Sequence, residues 1–596
     1  MEYLICDVAV IGGSLGGVAA ALAACDAGMN VILTEATDWL GGQISSQGVS
    51  ALDEHRYIET FGGTARYYRL RERIRALTRR AYPHAPATMP NGAPLNPGDG
   101  WVSALCFEPR FGLEAIQELL APHLESGRLR VLLEHTPIAA LVEGDKVQTV
   151  TLKAADETVV VAARYFLDAT ELGDLLPLTG AAYVTGAEAR AETGEPQAEA
   201  DANPQTVQGF TSCFFVEFRP GENHIIAPPA DYARLRDTRP YTLRLQKPDG
   251  TPHPFNFFTQ SETGNPPFWT YRRVRSSALI APAETDIALI NWESNDYPWG
   301  NLLDAPPDEQ ARMIDEAKRL SLGFLHWLQT EVPRDDDGSP ELAAGPARRG
   351  YPELRLRPNI TGTSDGLAKF PYIRESRRIL ARKRILEQEI SAYQQPGARA
   401  AHFPDSVGVG WYSIDVHSCV GNPRSLFAPT RPFQIPLGAL LPRTLANLLA
   451  ACKNLGVTHI TNGAYRLHPV EWNIGEAAGA LAAFCICRAC TPEQVWASRV
   501  QPGLATLLRH FQRDLIQQGI PLGWAVDVPL GHELFYGTQM LLAQSGIPSG
   551  CERFEGLEIN PTKSLSGVES ACLQAAGIDS ARSWQDAARR ISTMLT

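Results

Sequence analysis

The stretch 6–43 constrains this chain more than any other. Asp7-Val8-Ala9-Val10-Ile11 has the make-up of a short buried strand and runs straight into Gly12-Gly13-Ser14-Leu15-Gly16-Gly17, after which residues 18–27 are small helix formers. Gly28 ends that helix, residues 29–34 read as a second apolar strand, and Glu35 closes it. An acidic residue about twenty positions after a glycine turn marks a dinucleotide-binding βαβ unit. Gly12 permits the tight turn and Gly17 lets helix and strand pack closely. Gly16 and the rest of the helix start offer free N–H groups and the positive dipole end to a pyrophosphate. Ser14 stands where the usual fingerprint has its middle glycine, so the match is G-x-S-x-x-G, with a residue still small enough for close approach. Glu35 is placed to meet a ribose hydroxyl pair.

Shortly after Glu35 comes Trp39-Leu40-Gly41-Gly42-Gln43. This pair resembles the second glycine motif of two-dinucleotide-binding-domain flavoproteins, in which the chain folds back along the cofactor's phosphates and flavin. From here the chain resembles the bacterial FAD-dependent oxidoreductase family, with similar segments to about residue 480. The resemblance implies FAD as cofactor. It also implies an α/β fold: a Rossmann-like FAD-binding domain of glutathione-reductase type, an inserted α+β substrate domain and a helical C-terminal extension.

Further site residues follow from the same resemblance. Ile138, in Thr136-Pro137-Ile138, is implied beside the adenine. Ala169 lies in Asp168-Ala169-Thr170-Glu171, which resembles an Ala-Thr-Gly motif with Glu171 where glycine is commoner. Gly475-Glu476-Ala477-Ala478-Gly479 is implied to open a helix whose first amides approach the flavin, with Asn462 and Asn473 nearby. Residues 371–378, PYIRESRR, resemble an arginine-rich strand-to-helix turn that approaches the active site.

At 596 residues the chain is too long for one ordinary core. The expected divisions are 1–180 and 401–490 for the two parts of the FAD domain, 181–400 for the substrate domain, and 491–596 for the helical end. A net charge of −12 without a long basic run argues against nucleic acid or an anionic membrane surface as partner. Eleven scattered cysteines fit a reducing compartment, so a cytoplasmic location is expected. Met1-Glu2-Tyr3 carries no positive n-region, and no membrane span is expected. Cys485, Cys487 and Cys490 form C-x-C-x-x-C without a neighbouring fourth ligand, so no metal is expected there.

Candidate chemistry is spread along the chain. Gln43, Gln47, Glu54 and His55 lie in a polar stretch after the glycine pair. The arginine-dense helix over 57–80 reads as a solvated face or a wall that attracts an acidic group. Residues 291–297, NWESNDY, are the densest polar and aromatic cluster of the inserted region, where substrate pockets are built. In a strand over 405–417, Asp415 and His417 share a face, and such a pair suits a base with a proton relay. His459 and Arg466, with Asn462 and His468, precede the helix and are expected to flank flavin or substrate. The catalytic candidates are therefore Asp415, His417, His459 and Arg466.

No second G-x-G-x-x-G is present for a nicotinamide nucleotide, and no cysteine pair follows Gly42 as a disulfide reductase requires. The expected activity is a dehydrogenase or oxidase that passes a hydride from a small organic substrate to FAD, with oxygen, a quinone or a carrier protein as electron acceptor. Two alternatives stand beside it: a flavin monooxygenase using external NAD(P)H, and a non-catalytic flavin-binding protein attached to a wall or complex. The second arises because residues 527–569 resemble a degenerate S-layer-homology repeat. With one copy, packing or homodimer formation is the expectation for that segment.

Overall fold

The computed structural model describes residues 2–155, 157–246, 251–282, 284–335, 349–423, 425–501, 503, 505–545, 556–567, 570 and 581–595. β1 (Glu2–Ile11), α1 (Leu15–Asp26) and β2 (Val31–Thr34) form the expected βαβ unit. β3 (Leu129–Leu132) adds outside β2, and β6 (Thr158–Asp168) adds on the other side of β1, all in parallel. A parallel sheet covered on both faces reads as a continuous apolar run, and Val8 to Ile11 are buried accordingly.

β6 changes partner along its length on the side away from β1, within one seven-stranded sheet. Its first half pairs antiparallel with β5 (Lys146–Lys153), which turns back onto β4 (Thr136–Glu143). Its second half pairs in parallel with the strand Leu448–Ala450, which brings in a segment almost three hundred residues later. β4 is thus the far edge of the sheet. Ile138, expected beside the adenine, lies on this edge strand and is 47% exposed. The backbone beside Glu35 is that of His135, whose N–H donates to the Glu35 carbonyl at 2.8 Å.

α1 is buried on every side, from Leu15 to Cys25. It lies between the sheet and the helix His468–Arg488, and glycines set how close the two helices come. A Cβ on Gly475 would lie 1.9 Å from the Gly16 carbonyl oxygen, and one on Gly479 would lie 2.1 Å from that of Ala20. The helix starts at His468, with Pro469 in its first turn. Gly475, Glu476 and Ala477 therefore sit about two turns inside it, and their amides are spent on the helix itself rather than facing a flavin. By length and composition this helix is apolar enough to cross a membrane, but 89% of the apolar window is buried inside the fold. It is a core helix.

The arginine-dense helix α2 (Ala65–Ala81) is not a solvated face throughout. Arg66, Arg71 and Arg75 are buried, and each is paired. Arg66 joins Asp26 and Glu476, Arg71 joins Glu54 and Glu59, and Arg75 joins Glu59. Buried charges persist only with such partners.

The inserted region builds a second core around a four-stranded antiparallel sheet ordered Arg273–Arg275, Ile287–Ile290, Phe214–Phe218, Leu354–Leu356. The helix Pro307–Thr330 packs into this core with Leu320, Phe324 and Leu328 buried and Trp327 partly buried. The single strand expected over 405–417 is two, Ser406–Gly410 and Ile414–Val416, each in its own antiparallel pair.

In the C-terminal region the helices Leu507–Gln517 and Phe535–Ser545 pack into the main core through Phe511, Met540 and Leu541. Gly546 to Gly550 and Glu569 of the repeat-like segment lie outside the described residues. Cys485 is buried and Cys487 exposed, and no three potential metal-ligating side chains gather among the described residues.

Candidate functional site

The two glycine motifs meet. Gly12 has φ of 104°, and a Cβ there would strike the Ala169 carbonyl carbon at 2.3 Å, so Ala169 walls the turn. The Ser14 hydroxyl caps α1 by accepting from the Gly17 N–H at 3.1 Å, so it serves the helix. Gly41, with φ of 108°, donates its N–H to the Gly13 carbonyl at 2.7 Å, which pins the second motif to the first. A side chain on Gly42 would meet Glu171 at 2.4 Å and Ser14 Cα at 3.0 Å.

Glu35 reaches the turn from the strand end. Its Oε2 accepts from the Gly13 N–H at 3.1 Å, and its Oε1 accepts from the Thr37 N–H and hydroxyl at 2.9 and 2.7 Å. Burial pushes its carboxyl up to about 7, against the pull of the Thr37 hydrogen bonds.

Behind the turns lies a charged cluster. Lys453 Nζ joins Glu171 and lies 3.4 Å from Glu471, and Glu471 Oε1 accepts from the Gly16 N–H at 3.1 Å. Gln43 donates to Glu471 and, at 2.9 Å, to the Arg466 carbonyl. Four buried polar atoms here have no protein partner: Gln43 Oε1, Gln47 Nε2, Glu171 Oε1 and Asn454 Oδ1. Glycine turns with no room for a Cβ, a helix start and four orphaned polar atoms together fit a large polar dinucleotide.

A cavity of about 430 Å³ adjoins this cradle. Asp53, Arg272, Arg374, Asp415, His417 and Arg466 line it, with Tyr271, Trp292, Tyr372, Tyr412 and Phe427 as aromatic wall. Each arginine holds a carboxylate: Arg272 with Asp53 at 3.0 Å, Arg374 with Asp296 at 2.9 Å, and Arg466 with Asp415 at 3.1 Å. His417 is clamped between two carboxylates, its Nδ1 2.6 Å from Asp296 and its Nε2 3.4 Å from Asp415. Burial and Arg374 push the His417 pKa down, but Asp415 and Asp296 outweigh them and leave it raised. Burial works against the charge of Asp415 in turn, yet His417 and Arg466 hold its carboxyl well below the usual range.

Three of the four expected catalytic residues, Asp415, His417 and Arg466, thus share one cavity. His459 stands behind it. Its Nδ1 lies 2.9 Å from Glu375 Oε2 and its Nε2 3.6 Å from Cys419 Sγ. Burial disfavours charge on this ring, but Glu375 overrides that and holds it protonated well above the usual range. Glu375 accepts from the Gln208 N–H at 3.0 Å, and Gln208 Oε1 accepts from the His417 backbone N–H at 3.1 Å, so a chain of hydrogen bonds joins His459 to the His417 backbone.

Three expected cofactor ligands also have partners within the protein, although Asn462 Oδ1 is left without one. Asn462 donates to the Arg374 carbonyl at 2.9 Å. Asn473 accepts from the Val409 N–H at 3.2 Å and ties the core helix to a strand. Glu476 accepts from Arg66, Thr64 and Trp472. Ala477 is buried inside the same helix. Conversely, Lys453, Glu471, Asp53 and Arg272 were not singled out. Glu471 falls in a helix's first turn, where an acid is ordinary dipole chemistry, and Arg272 belongs to no motif.

A family model described as FAD dependent oxidoreductase matches residues 7–504. No curated protein matches the chain. Similar solved structures include an L-proline dehydrogenase from P.horikoshii, at 16% identity over 31% of this chain and 24% of that one, with a TM-score of 0.16. This chain therefore spans about a quarter of that dehydrogenase chain's length. Another is the p-nitrophenol 4-monooxygenase PnpA from Pseudomonas putida DLL-E4, at 13% identity, 64% and 70% coverage and a TM-score of 0.26. A third is the OxyS anhydrotetracycline hydroxylase from Streptomyces rimosus, at 11% identity, 91% and 70% coverage and a TM-score of 0.30. At these scores the structural likenesses carry no argument about the reaction.

Proposed function

The chain belongs to the FAD dependent oxidoreductase family, and on that premise we propose that it is a dehydrogenase or oxidase acting on a small organic molecule in the arginine- and tyrosine-lined cavity. Oxygen, a quinone or a carrier protein would take the electrons. The two glycine turns and Glu35 would hold FAD, with Gln43, Gln47 and Glu171 supplying the orphaned polar atoms. Bound FAD supplies hydride acceptance.

Arg466 carries the reading. Its carbonyl is held by Gln43 at the second glycine motif, while its guanidinium holds Asp415 and, at 2.8 Å, the Tyr372 hydroxyl on the cavity wall. Cradle and cavity therefore meet at one residue. Within the cavity, Asp296 fixes the orientation of His417, and His417 with Asp415 handles the substrate's proton. A clamped imidazolium already holds a proton, so base action requires its neutral form and grows as pH rises through the raised pKa. His459 is a positioning residue that acts through Glu375 and Gln208.

The test is anaerobic mixing of the FAD-loaded enzyme with fractionated cell metabolites, read by loss of the yellow flavin absorbance. Bleaching by an organic compound without NAD(P)H is the expected result. Bleaching only by NAD(P)H would overturn the reading and assign a monooxygenase.

A further inference from the structure

Resting on the reading that this cavity is the substrate site, we propose that the molecule it takes is an organic carboxylate carried on a flat apolar body.

Hydrogen-bond capacity gives the first argument. Arg272 spends Nη1 on the Ala51 carbonyl and Nη2 on Asp53. Arg374 spends Nη1 on the Gly209 carbonyl and the Thr211 hydroxyl, and Nη2 on Asn291 and Asp296. Arg466 spends Nη1 on Tyr372 and Nη2 on Asp415. The Nε–H of all three has no partner, and among the described residues lining the cavity these are the only buried orphaned side-chain atoms. All three are donors. An ionised carboxylate is acceptor-only and matches guanidinium geometry, whereas an ammonium would bring still more donors.

Charge gives the second. Arg239 stands beside the Asp296 clamp and donates to the carbonyls of Asp296 and Glu293 and to the Ser418 hydroxyl rather than to a carboxylate. With His417 carrying its proton, Arg239, Arg272, Arg374, Arg466 and His417 face Asp53, Asp296, Asp415 and Glu293. The set is one carboxylate short, with half-buried Arg239 the cation left without one, and the excess positive charge favours a ligand that brings an anion.

Shape gives the body. Tyr271 and Trp292 meet edge to face at 5.6 Å, and Tyr412 and Phe427 also line the space. A cavity of about 430 Å³ with aromatic walls suits a compact flat group rather than a long chain.

The experiment titrates the FAD-loaded enzyme with benzoate, benzamide and benzylamine, which present one ring with an acid, a neutral amide and an ammonium; acetate and acetamide form a second, smaller pair. Binding is read from the flavin absorption shift and from thermal denaturation, neither of which needs turnover. Each acid is expected to bind about tenfold or more tightly than its amide, as hydrogen bonds to a charged group require, and to weaken with added salt. Arg272→Gln should lower the acid-to-amide affinity ratio severalfold, since it removes one of the three donors. Should the variant fail to fold, the acid-to-amide ratio of the parent enzyme decides alone. Equal affinity for acid and amide, preference for benzylamine, or no acid binding overturns the proposal. The reaction assignment fails on a separate readout, the absence of bleaching by any organic reductant.

Discussion

Replacing Gly475 with alanine tests the packing that holds the cofactor turn in place. The added methyl would lie 1.9 Å from the Gly16 carbonyl oxygen and 2.5 Å from its carbon. Non-bonded carbons settle at about 3.5 Å, so the helices would have to part by roughly 1 Å or more. The atoms struck are backbone, with no side chain to swing aside. Overpacking of this kind costs about 1–3 kcal/mol, and α1 can move only by carrying the first turn of its helix with it. If about 3 kcal/mol of that strain falls on the FAD-binding turn, affinity drops by roughly a hundredfold. Gly479→Ala is the control, since its methyl would meet the Ala20 carbonyl at 2.1 Å, one turn further from the glycine motif. Both variants should lose stability in denaturant titrations of the FAD-free protein. Gly475→Ala alone should lose most of its FAD affinity, measured by quenching of flavin fluorescence. A Gly475→Ala protein that unfolds with the parent and binds FAD within about threefold of it would refute the reasoning.

Glu35→Ala should weaken FAD binding by about tenfold or more with the circular dichroism unchanged; equal affinity would remove the ribose assignment. Because burial pushes the Glu35 carboxyl from 4.5 up to about 7, the folded state binds more protons across that window. Stability of the FAD-free parent relative to Glu35→Gln should therefore fall as pH rises through it, checked by denaturant midpoints at both ends. Glu476→Gln should cost about 3 kcal/mol by breaking a buried ion pair, yet leave FAD affinity per folded molecule intact; selective loss of FAD would restore Glu476 as a ligand. His417→Ala should slow flavin reduction about a hundredfold or more in stopped-flow traces and abolish the parent's rise in rate with pH.

The N-terminal βαβ unit was legible because its constraints are local: Gly12 is followed at once by its helix, and Glu35 closes the next strand. Asp415 and His417 were legible as a pair because one residue separates them, although the strand ends at Val416 and does not include His417. Gly475 misled because a small-residue run at a helix start and one at a helix crossing look alike in one dimension. What separates them is Gly16, which lies in the first turn of another helix. Arg272 and Asp53 were invisible because each becomes meaningful only through the other, across more than two hundred residues. The place of Ile138 was not legible, since the edge position of β4 is set by its pairing with β5 and not by its own residues.

The hydrogen bond that caps the Gly16 N–H of the first glycine motif comes from Glu471, 455 positions later in the chain. A ribosome adding about 5–20 residues per second leaves the turn without that partner for roughly half a minute to a minute and a half. During that time an alanine-rich helix, destined to be buried on every side, lacks its covering helix. Cofactor loading is then expected to follow emergence of the distal half. Any truncation before the helix His468–Arg488 is then expected to leave an N-terminal fragment that carries the complete fingerprint and still cannot hold FAD.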